Sequence, residues 1–139
     1  MLDSKDKKII ALLKQNARLS IRDIAKKAQL RPSTVHQRIQ KLLREGIIEK
    51  FTLKLNNEKV GENFIVFLLV TTRKDLPSIF FKNEHIKEVF GITGEYDLIL
   101  KLKFSDINEF NSYLINLRKN EIIEKTLTMV ATTMLKEEL

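Results

Sequence analysis

The spacing of apolar residues changes along this chain, from the period of an α-helix to the alternation of a β-strand. Before Gly46, the residues Val35, Ile39, Leu42 and Leu43 recur at i, i+4, i+7 and i+8, which places them on one face of a helix. In residues 51–55, apolar and polar residues alternate, which indicates a strand with one buried face. A chain with both patterns in separate segments belongs to the α+β class.

Capping residues divide the helical part into three short helices. Asp3 can cap a first helix over residues 4–16, and Ser20 can cap a second helix that ends before Pro32. Pro32 begins the third helix, and Gly46 suits the left-handed position just past its end. Two helices joined by a tight turn predict a helix-turn-helix domain in residues 1–50.

The rest of the chain alternates strands with helices in the order β-α-β-β-α-β. We predict strands over residues 64–74, 86–93, 96–104 and 122–133, with a hairpin turn at Gly94 and Glu95. Pro77 can open a short helix, and Asp106 can cap a longer one. This order predicts a ferredoxin-like domain in residues 63–139, preceded by a linker strand and hinge in residues 51–62.

Such a sheet has helices on one face only, so the apolar side chains of its other face stay exposed unless another surface packs against them. Ile99, Thr126, Thr128 and Val130, or their neighbours of opposite parity, would occupy the uncovered face. A single sheet cannot bury that face by itself, so we expect self-association.

Charge is concentrated at the N-terminal end of the chain. The net charge is +7, and residues 1–55 carry 14 Lys and Arg against 5 Asp and Glu, whereas residues 56–139 are slightly acidic. A basic N-terminal part suggests a polyanionic partner there, although a basic surface can also serve only solubility.

Composition also bears on location. The chain has no cysteine, which suits a reducing compartment. Residues 1–10 lack the apolar core of a signal peptide, and the apolar run of residues 64–70 is too short to span a bilayer of about 30 Å. We expect a cytoplasmic protein that has no contact with a membrane.

The third helix carries the side chains best suited to DNA. Its apolar stripe leaves the polar side chains exposed, and these types suit base edges and phosphates in a major groove. The candidate DNA-binding residues are Arg31, Ser33, Thr34, His36, Gln37, Arg38, Gln40, Lys41 and Arg44, with Lys26 and Lys27 near the phosphate backbone. The alternative is a solvated basic helix face, and for His36 a surface histidine without a role.

No set of residues indicates catalysis or a metal site. The chain has two histidines, His36 and His85, far apart in sequence, and no glycine-rich phosphate loop. We therefore expect no enzyme activity, no metal and no cofactor.

Three stretches resemble the Lrp/AsnC family of transcription regulators, also called leucine-responsive or feast/famine regulators. They are LDSKDKKIIALLKQNARLS, IRDIAKKAQLRPSTVHQRIQKLLREGIIE and GEYDLILKLKF. The resemblance covers nearly the whole chain. It implies a winged-type DNA-binding domain that binds promoter or operator DNA, and a C-terminal domain that binds an amino acid and forms dimers or larger homo-oligomers.

Carried onto this sequence, the resemblance implies effector-binding residues in the hairpin and the last strand. They are Gly94, Tyr96, Asp97, Thr126 and Thr128. Asp97 could accept from an ammonium group, and the threonines could donate to a carboxylate. The alternative is structural: Gly94 permits the turn, Asp97 makes a local hairpin bond, and the threonines are ordinary strand residues.

Two other functions remain open from the sequence. An architectural DNA-binding protein would use the same basic domain with little sequence choice and no effector response. An amino-acid-sensing subunit of an enzyme would use the same C-terminal fold, although the basic helical N-terminus argues against it.

Overall fold

The chain folds as two compact units, Met1–Leu53 and Lys54–Leu139, in a computed structural model that describes all of residues 1–139. The first unit contains three α-helices and no strand, and the second contains four strands, one α-helix and a short 3-10 helix. No helix of the molecule is both long enough and apolar enough to span a membrane.

Local capping explains the three helices of the first unit, α1 (Ser4–Gln15), α2 (Ile21–Ala28) and α3 (Pro32–Arg44). The Asp3 carboxylate accepts from the Asp6 amide at 2.8 Å, and the Asp6 carboxylate accepts from the Asp3 amide at 3.3 Å, which forms a capping box. Ser20 Oγ accepts from the Asp23 amide at 3.1 Å. These bonds satisfy amide groups that have no partner inside a helix, and they confirm the predicted helix starts.

The core of the first unit lies where the three apolar stripes meet. Ile9 from α1, Ile24 and Ala25 from α2, and Val35 from α3 form one buried cluster. Leu42, at the other end of the α3 stripe, is also buried. This packing directs the opposite side of α3 outward.

The turn between α2 and α3 is fixed by backbone geometry. Gln29 has the left-handed backbone values φ 57° and ψ 47°, and its amide and that of Leu30 both donate to the Ala25 carbonyl. Two consecutive amides bonded back to one turn of helix end α2 sharply. The next helix then starts at Pro32.

The predicted linker strand in residues 51–55 is wrong. The segment has no regular secondary structure, and its apolar side chains Phe51, Leu53 and Leu55 are exposed. The alternating pattern is present, but a strand also requires a hydrogen-bonded neighbour, and this chain provides none for the segment. The boundary between the two compact units falls within it, between Leu53 and Lys54.

The second unit has the predicted ferredoxin-like order, with β1 (Phe64–Thr72), β2 (Ile86–Gly91), β3 (Leu98–Phe104), α4 (Ile107–Arg118) and β4 (Ile123–Val130). The sheet order is β2-β3-β1-β4, and all neighbouring strands are antiparallel. The short helix that was predicted to open at Pro77 is a 3-10 helix, Ser78–Lys82.

The connection between β2 and β3 is longer than predicted. It spans residues 92–97, and the Ile92 amide donates to the Asp97 carbonyl at 2.9 Å across its base. A two-residue turn at Gly94 and Glu95 would have required pairing to continue as far as residues 93 and 96, which it does not.

A helix packs against one face of the sheet, and the other face is partly exposed. On one face, Val66, Leu68 and Val70 of β1 pack with apolar residues of β3 and with α4, and this forms the core of the second unit. On the opposite face, side chains of the other parity remain partly open, including Phe67, Leu69, Ile99, Leu127 and Met129. We call this second set the open sheet face.

Ile99 lies on the open sheet face, as expected, but the other residues predicted with it do not. Thr126, Thr128 and Val130 pair with Val70, Leu68 and Val66, so they lie on the helix-covered side, where β4 is the edge strand. Their neighbours of opposite parity, Leu127 and Met129, occupy the open sheet face.

The C-terminal residues after β4 are anchored by an ion cluster. The carboxylate of Glu137 forms ion pairs with Lys101 and with Lys103, the latter at 3.0 Å, and it accepts from the Asn57 side-chain amide at 3.1 Å. The Lys103 ammonium also donates to the Asn57 side-chain oxygen at 2.7 Å. Because Lys101 and Lys103 pair with Phe67 and Ile65 of β1, this cluster lies on the same side of the sheet as the open sheet face.

Candidate DNA-binding face and effector-binding region

The outward side of α3 presents most of the predicted DNA-binding residues together. Buried Val35 and Leu42 hold the helix against the core, and the side chains on the other side are exposed. The exposed predicted residues are Arg31, Ser33, His36, Gln37, Gln40, Lys41 and Arg44, whereas Thr34 and Arg38 are half-buried. Amides, hydroxyls and cations on one helix face match the groups that base edges and phosphates bind.

Several exposed cations of α3 and of the end of α2 have no acidic partner. Arg31, Lys41 and Arg44 of the α3 region, and Lys26 and Lys27 at the end of α2, form no ion pair. The end of α2 thus adds positive charge close in sequence to the start of α3. Unpaired surface cations are the groups that release counterions when they bind a phosphate backbone.

Arg38 differs from the other predicted residues. Its Nη1 donates to Asp3 at 2.6 Å and to Asp6 at 3.1 Å, and Asp6 is buried. The hydrogen bond from the Asp6 amide, followed by that from Arg38, lowers the pKa of Asp3 to about 2. The hydrogen bond to Asp3 is also the largest cause of the raised pKa of Arg38. Sequence spacing gave no sign of this cluster, because its members are 32 and 35 residues apart.

Asp97 makes a local hydrogen bond of the kind expected if its role in the hairpin is structural. Its carboxylate accepts from the Thr72 amide at 2.8 Å, and its own amide donates to the Val70 carbonyl at 2.9 Å. Gly94, in the loop before it, has φ +112°, a conformation that residues with a Cβ rarely adopt. The carboxylate remains exposed despite its bond to Thr72.

The predicted effector residues do not all lie on one side of the sheet. Tyr96 lies beneath the Lys125 ammonium, 5.1 Å from the ring centroid. Lys125 pairs with Thr71, whereas Thr126 pairs with the adjacent Val70, so Lys125 and the two predicted threonines lie on opposite sides of the sheet. The structure therefore separates Tyr96 with its lysine from Thr126 and Thr128.

An open groove does form beside Asp97. It is lined by Thr72, Lys74, Asp75, Leu76, Phe81, Asp97 and Leu98. Lys74 and Asp75 were not predicted as site residues, and Lys74 was assigned to the end of a strand. Their presence gives the groove a cation and two carboxylates, which together suit a molecule carrying both an ammonium and a carboxylate group.

No three His, Cys, Asp or Glu side chains lie together in a way that could hold a metal ion. The chemical groups present in both regions are those of binding surfaces: cations, amides, hydroxyls and hydrogen-bonded carboxylates.

Family models match both units of the chain. Residues 2–49 match the winged helix-turn-helix DNA-binding model, and residues 66–139 match the Lrp/AsnC ligand binding domain. Together with the exposed basic face of α3, these matches define the chain as a DNA-binding transcriptional regulator with a ligand-binding domain.

Full-length relatives place the chain in one family. It is 35% identical over 141 residues to the HTH-type transcriptional regulator FL11 of Pyrococcus furiosus, covering 99% of this chain and 93% of that protein. The chain belongs to the Lrp/AsnC family of transcription regulators.

Solved structures agree with this assignment. The transcriptional regulator NMB0573 of Neisseria meningitidis, in complex with L-Met, aligns with a TM-score of 0.90 at 25% identity, covering 99% of this chain and 94% of the other. An AsnC family regulator of Agrobacterium tumefaciens also aligns with a TM-score of 0.90, at 22% identity and the same coverage, which supports the fold.

Proposed function

We propose that the protein reads promoter DNA with α3 as its recognition helix. The observation that carries this proposal is the exposure of Gln37, Gln40, Lys41 and Arg44 on one side of a helix whose other side is fixed in the core. Glutamine can bond adenine at two positions, and lysine or arginine can bind guanine or phosphate. The predicted roles of His36, Ser33, Thr34 and Arg31 form part of this proposal.

We infer that two copies of the chain act together. The open sheet face exposes apolar side chains, with Leu127 at 42% and Met129 at 46% of their full exposure. A second copy packed on this face would bury them, and Phe51, Leu53 and Leu55 would find a strand partner there that one chain lacks. Two recognition helices would then lie about 34 Å apart on a pseudo-palindromic site.

We propose an amino acid, or a related small metabolite, as the effector. The groove beside Asp97 supports this, because Asp97 and Asp75 offer acceptors for an ammonium group and Lys74 offers a cation for a carboxylate. A relative of this fold was solved as an L-Met complex. We propose that the protein works in the cytoplasm as a regulator without enzyme activity.

An architectural DNA-binding protein without an effector response is the second candidate. It is favoured by the bond between Asp97 and the Thr72 amide and by the absence of Thr126 and Thr128 from the lining of that groove. On this view the hairpin residues are structural, and the basic helix face binds DNA of any sequence.

Selection of bound duplexes from a random pool, followed by binding in excess random DNA, tests the two candidates. A sequence-specific regulator should prefer its selected site by 10³-fold or more, whereas a ratio near unity supports the architectural function. Repeating the binding measurement with each amino acid, and measuring the mass of the protein by light scattering with and without it, tests the effector proposal. An unchanged affinity and unchanged mass with all of them would contradict it.

A further inference from the structure

The Arg38 cluster joins the start of α1 to the middle of α3. Arg38 Nη1 donates to the carboxylates of Asp3 and Asp6, at 2.6 Å and 3.1 Å. The Asp6 side chain is only 3% exposed, that of Arg38 is 25% exposed, and that of Asp3 is 52% exposed. Both carboxylates also form the capping box of α1, so their positions are fixed by backbone bonds.

The charge of this cluster is unlike that of the surrounding surface. One guanidinium faces two carboxylates, which leaves one excess negative charge. Gln37 and Lys41 are four residues apart, so they lie on the same side of α3, and both are exposed. Arg38 lies between them in the sequence. A phosphate that approached Arg38 would therefore come close to two carboxylates. Such a contact would release few counterions, so it would add little to the affinity.

We propose that Arg38 is a positioning residue, which fixes the rotation of α3 against the start of α1, while Asp3 and Asp6 keep phosphate away from this flank of the helix. The cluster then determines which side of α3 meets the base edges. This inference rests on the proposed role of α3 as the recognition helix.

Positioning and phosphate binding predict different salt dependences. Log affinity falls as log salt concentration rises, and each phosphate contact adds about 0.9 to the magnitude of this slope, which we call the salt slope. A phosphate-binding Arg38 would lower the slope by that amount when its charge is lost. A positioning Arg38 would leave the slope unchanged and instead lower the preference for the selected site over random DNA.

The Arg38→Gln, Asp6→Asn double variant tests this without leaving a buried carboxylate unpaired. It replaces the ion pair with two amides that can still hydrogen-bond, and circular dichroism before and after heating checks the fold. We expect a salt slope equal to that of the unaltered protein, together with a several-fold loss of preference for the selected site. A slope reduced by about 0.9 per protomer would overturn the proposal, and so would an unchanged preference.

Asp3→Asn tests the role of the carboxylates. Asparagine is as good a helix cap as aspartate, so α1 should keep its start. Losing this charge leaves the cluster neutral, so we expect tighter binding to random DNA and a lower preference for the selected site. Glu49→Gln is the matched control, because it makes the same charge change at an exposed residue of the same unit that forms no ion pair. Equal effects of the two variants would refute a specific role for Asp3.

Lys41→Ala separates failure of this inference from failure of the proposed function. If α3 is the recognition helix, this variant lowers the salt slope by about 0.9 whatever Arg38 does. If neither Lys41→Ala nor Gln37→Ala changes DNA binding, then α3 is not the recognition helix, and the positioning role is refuted with it.

Discussion

Substitution of Glu137 by glutamine should weaken the C-terminal unit in a way that depends on pH. Glu137 is the single acid that faces both Lys101 and Lys103, and its side chain is 13% exposed. Glutamine keeps an oxygen that can accept from Asn57 and Lys103 but removes the charge. The variant therefore isolates the ionic part of the cluster.

The size of the effect follows from the pKa of Glu137. The Lys101 ammonium above all, and then the bonds from Lys103 and Asn57, lower this pKa from 4.5 to about 2. At about 1.4 kcal/mol per pH unit, the difference corresponds to about 3 kcal/mol at most. Solvent screens an ion pair near the surface and glutamine retains hydrogen bonds, so we expect a loss of about 1–2 kcal/mol at pH 7.

The sign of the pH dependence is also determined. A carboxylate whose pKa is lower in the folded state stabilises the protein above its unfolded pKa, here near 4.5, and loses this effect as the pH falls towards 2. The difference between unaltered and variant protein should therefore be constant from pH 6 to 7. It should shrink to roughly half or less at pH 3.

Urea unfolding followed by circular dichroism, at a fixed protein concentration, measures this difference. The concentration must be constant because association would add to the apparent stability. Glu138→Gln is the control, since Glu138 is exposed and forms no ion pair. An equal loss from both variants, or a difference that does not change between pH 7 and pH 3, would refute the assigned role of Glu137.

Three further substitutions test the proposed binding surfaces. Gln37→Ala should relax base preference at one position of the selected site by about 1–3 kcal/mol, and an equal loss on every sequence, measured by competition binding, would exclude base contact. Asp97→Asn should abolish any amino-acid effect on DNA affinity while keeping an acceptor for the Thr72 amide; a retained response would remove Asp97 from the site. Met129→Lys should shift the protein towards the monomer in light scattering, because it places a charge on the open sheet face; an unchanged mass would show that copies associate elsewhere.

The helices, and the order of strands and helices along the chain, were predictable because their signals are local. Asp3 and Ser20 cap helices through bonds to residues three positions away, and Pro32 and Gly46 act on the backbone at their own positions. The exposed side of α3 followed from the spacing of its apolar residues alone. For the same reason, most of the predicted DNA-binding residues are exposed together.

The wrong or incomplete predictions depend on distant partners. Residues 51–55 have the pattern of a strand, but no neighbouring strand within one chain. The pairing of Arg38 with Asp3 joins two helices that are separated by the whole of α2. The side of the sheet on which Thr126 and Thr128 lie depends on the register of β4 against β1, which alternation along β4 does not determine.

The short turn at Gln29 and Leu30 affects how a mutational scan of α3 can be interpreted. Two main-chain bonds to Ala25 set the direction in which the chain leaves α2, and no exposed side chain of α3 takes part in them. Truncating Gln37, Gln40 or Arg44 should therefore leave the helix in place, so that changes in operator preference report on lost contacts. A β-branched residue at this position, as in Gln29→Val, is disfavoured in the left-handed backbone conformation of the turn, so it should change the angle between the helices and alter the response to every operator at once.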